Sequence, residues 1–249
     1  MIMIVEEVYA KTILSRSKVF DYTINPYIGC EHGCTYCYAR FMKRFTNHKE
    51  EWGRFVDVKI NAPTLLQREI KKKRLGKVWI SGVCDPYQPL EKKYELTKKC
   101  LGILSKHRWP VTIQTKSPLV LRDVDLLREF NDVEVGFTIT TADEDIRKIF
   151  EPDSPSIGQR IETLEKLHHV GVTTFAMIAP LLPKPEGLVT QLSGKVDYVL
   201  IDRMNYHYAD QVYKRNKLEY AMTNNFFDRK KIEFANAFAE EGMPYQVLF

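Results

Sequence analysis

The segment Asn25-Pro-Tyr-Ile-Gly-Cys30-Glu-His-Gly-Cys34-Thr-Tyr-Cys37-Tyr-Ala-Arg40 decides the reading of this chain. Its three cysteines, Cys30, Cys34 and Cys37, have the spacing CxxxCxxC. So crowded a set suits a metal and not a disulfide framework. Gly29 and Gly33 let a short loop bend around a bound group. Soft thiolates favour an iron–sulfur cluster or zinc. A structural zinc site closes with four ligands. His32 is a candidate fourth, although its spacing from the cysteines is tight. Cys84 and Cys100 stand in other segments with no paired CxxC partner. Three thiolates with one vacant metal position is the arrangement of a site that binds a substrate or cofactor on the metal. The alternatives are a structural zinc knuckle and three unrelated core cysteines.

Outward from this loop, short β-like runs alternate with helical patterns. Asp21–Ile28 reads as a strand entering the loop. Lys77–Gly82, Val111–Thr115, Val133–Thr140, Val172–Ala179 and Val196–Asp202 are short and rich in β-branched and aromatic residues, as buried parallel strands are. Between them, residues 63–73 begin with a proline suited to a first helical turn. Leu96, Cys100, Ile103 and Leu104 form one apolar stripe at helical spacing. Val124, Leu126, Leu127 and Phe130 form a second, and Ile161, Leu164, Leu167 and His168 a third, with Gly171 as a C-terminal cap. About six strand–helix units imply a single-domain α/β fold, a partial (β/α)6 TIM-like barrel open on one side. Residues 1–20 are an N-terminal extension, 21–205 the barrel core, and 206–249 a helical segment covering it. Ligands in such sheets bind at the carboxyl ends of the strands.

The composition is that of an ordinary globular protein of this size. The chain has 249 residues, 44% hydrophobic and 28% charged. The 37 basic and 32 acidic residues leave a formal charge of +5, which permits an anionic partner without demanding one. No apolar run approaches the roughly 20 residues that span a bilayer. The N-terminus lacks the pattern of a signal peptide, so a cytoplasmic location and no membrane partner are expected.

NPYIGCEHGCTYCYAR closely resembles the cluster loop of radical S-adenosylmethionine (radical SAM) enzymes. The wider chain resembles the branch related to spore photoproduct lyase, a DNA-repair enzyme. SGVCDPYQPLE (Ser81–Glu91), QTKSPLVLRDVDLL (Gln114–Leu127), GFTITTAD (Gly136–Asp143), EPDSPSIGQRIETLEKL (Glu151–Leu167) and MIAPLLP (Met177–Pro183) carry that resemblance. It implies that Cys30, Cys34 and Cys37 bind three irons of a [4Fe–4S] cluster. The fourth iron would chelate the methionyl group of S-adenosylmethionine. An external electron donor such as ferredoxin or flavodoxin would reduce the cluster. Cleavage would yield a 5′-deoxyadenosyl radical that takes a hydrogen atom from the substrate.

The resemblance also assigns cofactor-binding residues. Tyr36 lies near the adenine, or simply packs under the loop. The strand tip Ser81, Cys84 and Asp85 faces the methionyl group, where the family usually has small polar residues. Lys116 meets the cofactor carboxylate, as a compact ammonium can; the alternative is a solvated loop lysine. Thr138 contacts the cofactor or serves only as a strand former. Ser156 and Arg160 open a helix whose N-terminus favours an anion. Arg160 can add a bidentate contact or be a surface arginine. Ala179 and Pro180 line the adenine site. Cys84 is also the catalytic candidate. The lyase's hydrogen-donating cysteine aligns with Gly82, so Cys84 is a wall of the site, a hydrogen-atom donor or a buried thiol.

On the substrate side, Asp202, Arg203 and Asn205 close the last strand. The basic run Lys71–Arg74 is explained by its place at a helix C-terminus. The aromatic and basic residues of the tail read as a helix packing across the barrel mouth, or as a surface that stacks bases. The substrate class stays open among nucleic acid, peptide and small molecule, with lyase-like chemistry one option. The competing function is a zinc-stabilised nucleic-acid-binding module without radical chemistry.

Overall fold

A computed structural model describes residues 3–249, which divide into two compact units. The first contains the chain through Gly33 together with Ala39–Val135; the second contains Cys34–Tyr38 and Gly136–Phe249.

The first unit carries two sheets. Strands β1 (Ile4–Val8), β4 (Tyr27–Ile28) and β5 (Phe55–Lys59) form the smaller, in the order β1-β5-β4. Here β1 runs parallel and β4 antiparallel to β5. Strands β2 (Leu14–Arg16), β3 (Tyr22–Ile24), β6 (Val78–Ile80) and β7 (Val111–Thr115) follow one another in the larger sheet. The pairs β3–β6 and β6–β7 are parallel. Val78, Ile80, Val111 and Ile113 point into the core and are fully buried, as period-2 alternation requires. Helices α1 (Ala62–Glu69), α2 (Glu91–Tyr94), α3 (Leu96–Lys106) and α4 (Val124–Arg128) connect these strands. Pro63 stands in the first turn of α1, where its missing N–H costs nothing. α1 and α3 pack together and bury Leu66, Leu101 and Leu104. Each such side chain contributes about 1.5–3 kcal/mol relative to exposure.

Strand β8 (Val133–Thr138) ends the first unit with Val135 and starts the second with Gly136. The second unit continues in the order β8-β9-β10-β11, with β9 (Thr173–Ile178), β10 (Tyr198–Ile201) and β11 (Tyr245–Val247). The pairs β9–β10 and β10–β11 are parallel. Gly136 leaves room for the ring of Phe175, which occupies the place a Cβ would take. Helices α5 (Glu144–Phe150), α6 (Ile157–His169), α7 (Leu188–Leu192), α8 (Asp210–Arg215) and α9 (Asn224–Glu240) complete this unit. α6 packs on β9 through Ile161, Leu164 and Leu167. It ends at Gly171, whose φ of 81° is the left-handed conformation of a helix stop.

Five of the six expected strands are present as single strands, and Asp21–Ile28 divides into β3 and β4, which lie in different sheets. β1, β2, β5 and β11 were not expected. Residues 1–20 read as an N-terminal extension, yet Ile4–Val8 finds a partner in β5. The tail carries α8 and α9 and then closes on a strand paired with β10. In the stripe of α3, Leu101 and not Ile103 is fully buried. The stripe over Val124–Phe130 shortens to a single turn of α-helix after a 3-10 stretch at Pro118–Asp123.

Candidate cluster and cofactor site

The cysteine loop is built from two tight turns. In the first unit the Gly33 N–H donates to the Cys30 carbonyl at 3.3 Å. In the second the Cys37 N–H donates to the Cys34 carbonyl at 3.2 Å. Gly29 and Gly33 adopt φ of 89° and 58°. Only glycine takes such values freely, and a Cβ at Gly29 would strike the Phe55 backbone. Cys30 and Cys34 are buried and Cys37 is half-buried; none is in a disulfide. Three shielded, unoxidised thiols on one short loop are a donor set that fits an iron–sulfur cluster.

Residues 85–91 pin the first half of this loop. The Gln88 amide donates to the Gly29 carbonyl and accepts from the Glu31 N–H. Glu31 in turn accepts from the Leu90 N–H at 2.6 Å. Asp85, at the tip after β6, is the hub. One of its oxygens accepts from Thr115 Oγ1 at 2.6 Å and from the Tyr87 N–H at 2.9 Å. The other accepts from the Lys116 N–H at 2.7 Å and lies 3.2 Å from His32 Nε2. Burial works against the charge, but His32, Thr115 and the Lys116 N–H overcome it and lower the Asp85 carboxyl to about 2. It is a permanent anion that fixes the tips of β6 and β7.

Cys84 stands beside this hub, half-buried, and packs against Tyr27, Val56, Val58 and Leu96. Burial pushes its thiol up to about 12, with Ser81 and Lys59 pulling the other way. It is a protonated thiol at neutral pH. Ser81 is buried, and its hydroxyl donates to the Ile24 carbonyl at 3.3 Å. Lys116 is half-buried, with its N–H held by Asp85.

The second unit has its own hub, Glu151, which is fully buried. It accepts from the Tyr36 hydroxyl, from Thr140 Oγ1 at 3.1 Å and from Ser154 Oγ at 3.3 Å. It also pairs with Arg160 at 2.5 Å. Burial and then the Glu151 carboxylate hold the Tyr36 phenol well above its ordinary value, so it remains a donor. The Arg160 guanidinium is fully buried and also donates to the Thr138 and Pro155 carbonyls and to Ser154. Arg160 thus sits inside the protein, with its donors turned to its own chain, and not at the surface. Ser156 forms a capping box with Gln159 at the start of α6. The Thr35 N–H and hydroxyl both donate to the Phe150 carbonyl and hold the second half of the cysteine loop to the end of α5.

Thr138 is buried at the end of β8, and Ala179 is half-buried just beyond β9. At the tip of β10, Asp202 accepts from the Arg203 N–H and from the Asn205 side chain, both at 2.8 Å. Tyr206 stacks between Tyr38, at 5.7 Å, and Tyr208, at 6.2 Å. All three rings are exposed. Lys71, Lys72 and Arg74 are exposed around a 3-10 turn that extends α1. Among the described residues, no helix is long and apolar enough to cross a membrane.

Sequence reasoning missed both supports of this site. Glu151 lay unremarked at the head of the EPDSPS turn, and Gln88 and Glu31 lay unremarked within the quoted motifs. A carboxylate directly before a Pro-Asp-Ser-Pro turn and nine residues before an arginine was the available signal.

A strand-to-helix α/β chain with a three-thiolate loop beside its strand tips defines an iron–sulfur enzyme of the barrel type. The radical SAM superfamily model matches residues 24–186, and the chain belongs to that superfamily. Membership implies a [4Fe–4S] cluster and S-adenosylmethionine. An uncharacterised protein of Methanocaldococcus jannaschii is 41% identical over 71% of this chain and 67% of its own length. One from Mycobacterium tuberculosis is 30% identical over 66% of this chain and 51% of its own. Spore photoproduct lyase complexed with dinucleoside spore photoproduct shares the fold, with a TM-score of 0.65 at 17% identity. That match covers 85% of this chain and 66% of the lyase. Streptococcus suis SuiB bound to S-adenosylmethionine gives a TM-score of 0.56 at 13% identity, over 100% of this chain and 51% of SuiB. The fold is therefore the partial TIM-like barrel of these enzymes. The chain spans about half to two thirds of the length of the proteins it matches.

Proposed function

We propose that this chain uses Cys30, Cys34 and Cys37 to hold a [4Fe–4S] cluster, binds S-adenosylmethionine at it, and removes a hydrogen atom from a substrate in a lyase-like or modifying reaction. When bound and reduced by an external donor of the ferredoxin or flavodoxin kind, the two cofactors supply one-electron cleavage of the S–C5′ bond and a hydrogen-abstracting radical. Three thiols outside any disulfide, two of them buried, on a loop pinned at both ends carry this reading. The radical SAM family match over residues 24–186 favours this reading over a zinc-stabilised nucleic-acid-binding module.

The chain's own residues bind and orient. Asp85 holds the Lys116 backbone so that its ammonium meets the cofactor carboxylate. Ser81 and Cys84 wall the methionyl end. Glu151 fixes the Tyr36 hydroxyl, which presents the ring to adenine together with Ala179. Thr138 and Ser156 offer polar contacts, and Arg160 acts through Glu151 as a positioning residue. Asp202, Arg203, Asn205 and the tyrosines beside them meet the substrate, whether nucleic acid, peptide or small molecule.

Anaerobic reconstitution should give a brown protein with about four iron and four sulfide per chain and broad absorption near ~400 nm. Alanine at any of the three cysteines should abolish stable incorporation and 5′-deoxyadenosine production. Lys116→Ala should weaken S-adenosylmethionine binding and leave iron unchanged. A colourless protein whose one tight zinc is held by Cys30, Cys34 and Cys37 refutes the proposal. Cys84→Ser separates wall from donor. Cleavage and product distribution should survive the substitution; aberrant products from an unquenched substrate radical would instead identify Cys84 as the donor.

A further inference from the structure

Away from the cysteine loop, the small sheet of the first unit gathers a second set of metal-ligating groups. Parallel register places Glu6 of β1 directly opposite Asp57 of β5. Like charges paired across strands repel, and Asp57 is buried while Glu6 is exposed. His48 closes the group. Its Nε2 lies 2.7 Å from Asp57 Oδ1 and its Nδ1 lies 3.2 Å from Glu50 Oε2. The imidazole is held flat against Phe55, with ring centres 4.3 Å apart. One nitrogen or oxygen from each of Glu6, His48 and Asp57 lies within 4.8 Å of the others.

The protons do not close on a neutral imidazole. Its single N–H can serve one carboxylate, and the other nitrogen then faces a second carboxylate, acceptor to acceptor. Positive charge at this point resolves it, carried by the imidazolium itself or by a metal ion on Nε2. The nearby Lys59 ammonium donates to the Asn25 carbonyl at 2.9 Å. Glu50 on Nδ1 makes the carboxylate–histidine arrangement that commonly orients a metal-bound imidazole from behind. Nε2 is then aimed at Asp57.

We infer that Glu6, His48 and Asp57 form a binding site for one divalent first-row metal ion of the zinc class, with Glu50 orienting His48. One imidazole nitrogen and two carboxylate oxygens suit such an ion, with bonds of about 2.0–2.2 Å and water completing the shell. The Asp57–His48 contact opens by less than about an ångström to admit it, and the exposed Glu6 swings in.

The ion would tie β1, β5 and the segment between His48 and Phe55 into one block behind the cysteine loop. β5 pairs with β4 at Asp57 and Ile28, two residues before Cys30. In the same segment, Gly53 presses on Gly33, where a Cβ would come within 2.6 Å of the Gly33 Cα. The role is structural support of the loop and not chemistry.

The test uses the full chain with its iron–sulfur cluster loaded, so that the thiolates are occupied. The protein is equilibrated with Zn²⁺ alone, gel-filtered and analysed for zinc per chain. One equivalent is expected, with X-ray absorption at the zinc edge reporting nitrogen and oxygen ligands and no sulfur. His48→Gln and Asp57→Asn should weaken Zn²⁺ binding at least ten-fold, and Glu50→Gln about ten-fold. Glu6→Gln, an exposed change that leaves the fold intact, should weaken it at least ten-fold and decides the matter if the buried variants misfold. No bound zinc in the wild-type chain, sulfur in the zinc shell, or undiminished binding in Glu6→Gln would each overturn the assignment, leaving His48 as an imidazolium between carboxylates.

Discussion

Asp85 shows how one side chain can organise a strand-tip site. Its carboxylate takes the Thr115 hydroxyl and the N–H groups of Tyr87 and Lys116, beside the His32 ring. These partners exist only in the folded chain, so its carboxyl falls from an ordinary 3.8 to about 2 on folding. A depressed acid stabilises the fold above its unfolded value and loses that stabilisation as pH drops through its folded value. The contribution is about 2 kcal/mol above pH ~4, disappearing toward pH ~2. Asp85→Asn should be less stable than wild type at pH 7 by about this amount. The difference should shrink between pH ~4 and ~2. Denaturant unfolding followed by tryptophan fluorescence, on matched metal-free preparations, measures both. A constant gap across that window would mean the charge is not what Asp85 contributes. At this scale the sequence was only half legible. The cysteines announce their chemistry by spacing, whereas Asp85 was visible as a strand-tip residue and its partners were not. Glu151 was hidden because nothing local tells a buried carboxylate from an exposed one when its counter-charge, Arg160, sits on the next helix.

Elements explain which parts of the scaffold could be read ahead of the coordinates. The middle strands of the large sheet, β6 to β10, are short runs rich in β-branched and aromatic residues, and they stand out. β5 does not, because FVDVK carries Asp57 and Lys59 within a strand whose first four residues are buried. Its charges are answered by His48 and by the Asn25 carbonyl, contacts that no periodicity encodes. β1 was illegible for the complementary reason. Its middle residues are exposed, so it lacks the pattern of a buried strand. Yet this small sheet supports the cysteine loop, and the segment leading into β5 brings two glycines together. Gly53 has φ of 95° and lies against Gly33. Gly53→Ala would be strained in its own backbone and would also push the Gly33 turn, since backbone atoms cannot step aside as side-chain ends can. Iron per chain after reconstitution should fall by at least half while far-UV circular dichroism stays near wild type. Full iron content in Gly53→Ala would show that the loop does not depend on this contact.

For the whole molecule, the alternation of strands and helices was enough to reach the barrel class, and the cysteine motif enough to reach the chemistry. The substrate was out of reach because recognition depends on exposed residues brought together from distant parts of the chain. Tyr38, directly after Cys37, meets Tyr206 and through it Tyr208, beyond the tip of β10. Three exposed, nearly parallel tyrosines cost solvation and are not explained by core packing. Flat rings of this kind suit a planar or apolar part of a substrate. If they act after cofactor cleavage is already possible, their removal should separate the two halves of the reaction. Tyr206→Ala breaks the stack at its centre and touches neither the cysteines nor the Asp85 and Glu151 hubs. Its slow 5′-deoxyadenosine production without substrate should match wild type, and its iron content should be unchanged. Once a screen across nucleic acids, peptides and small molecules identifies a substrate that accelerates cleavage, the variant should show an acceleration at least ten-fold weaker, mainly through a raised KM. An equal loss of basal cleavage would place Tyr206 in cofactor binding, and undiminished acceleration would remove the tyrosine stack from substrate recognition.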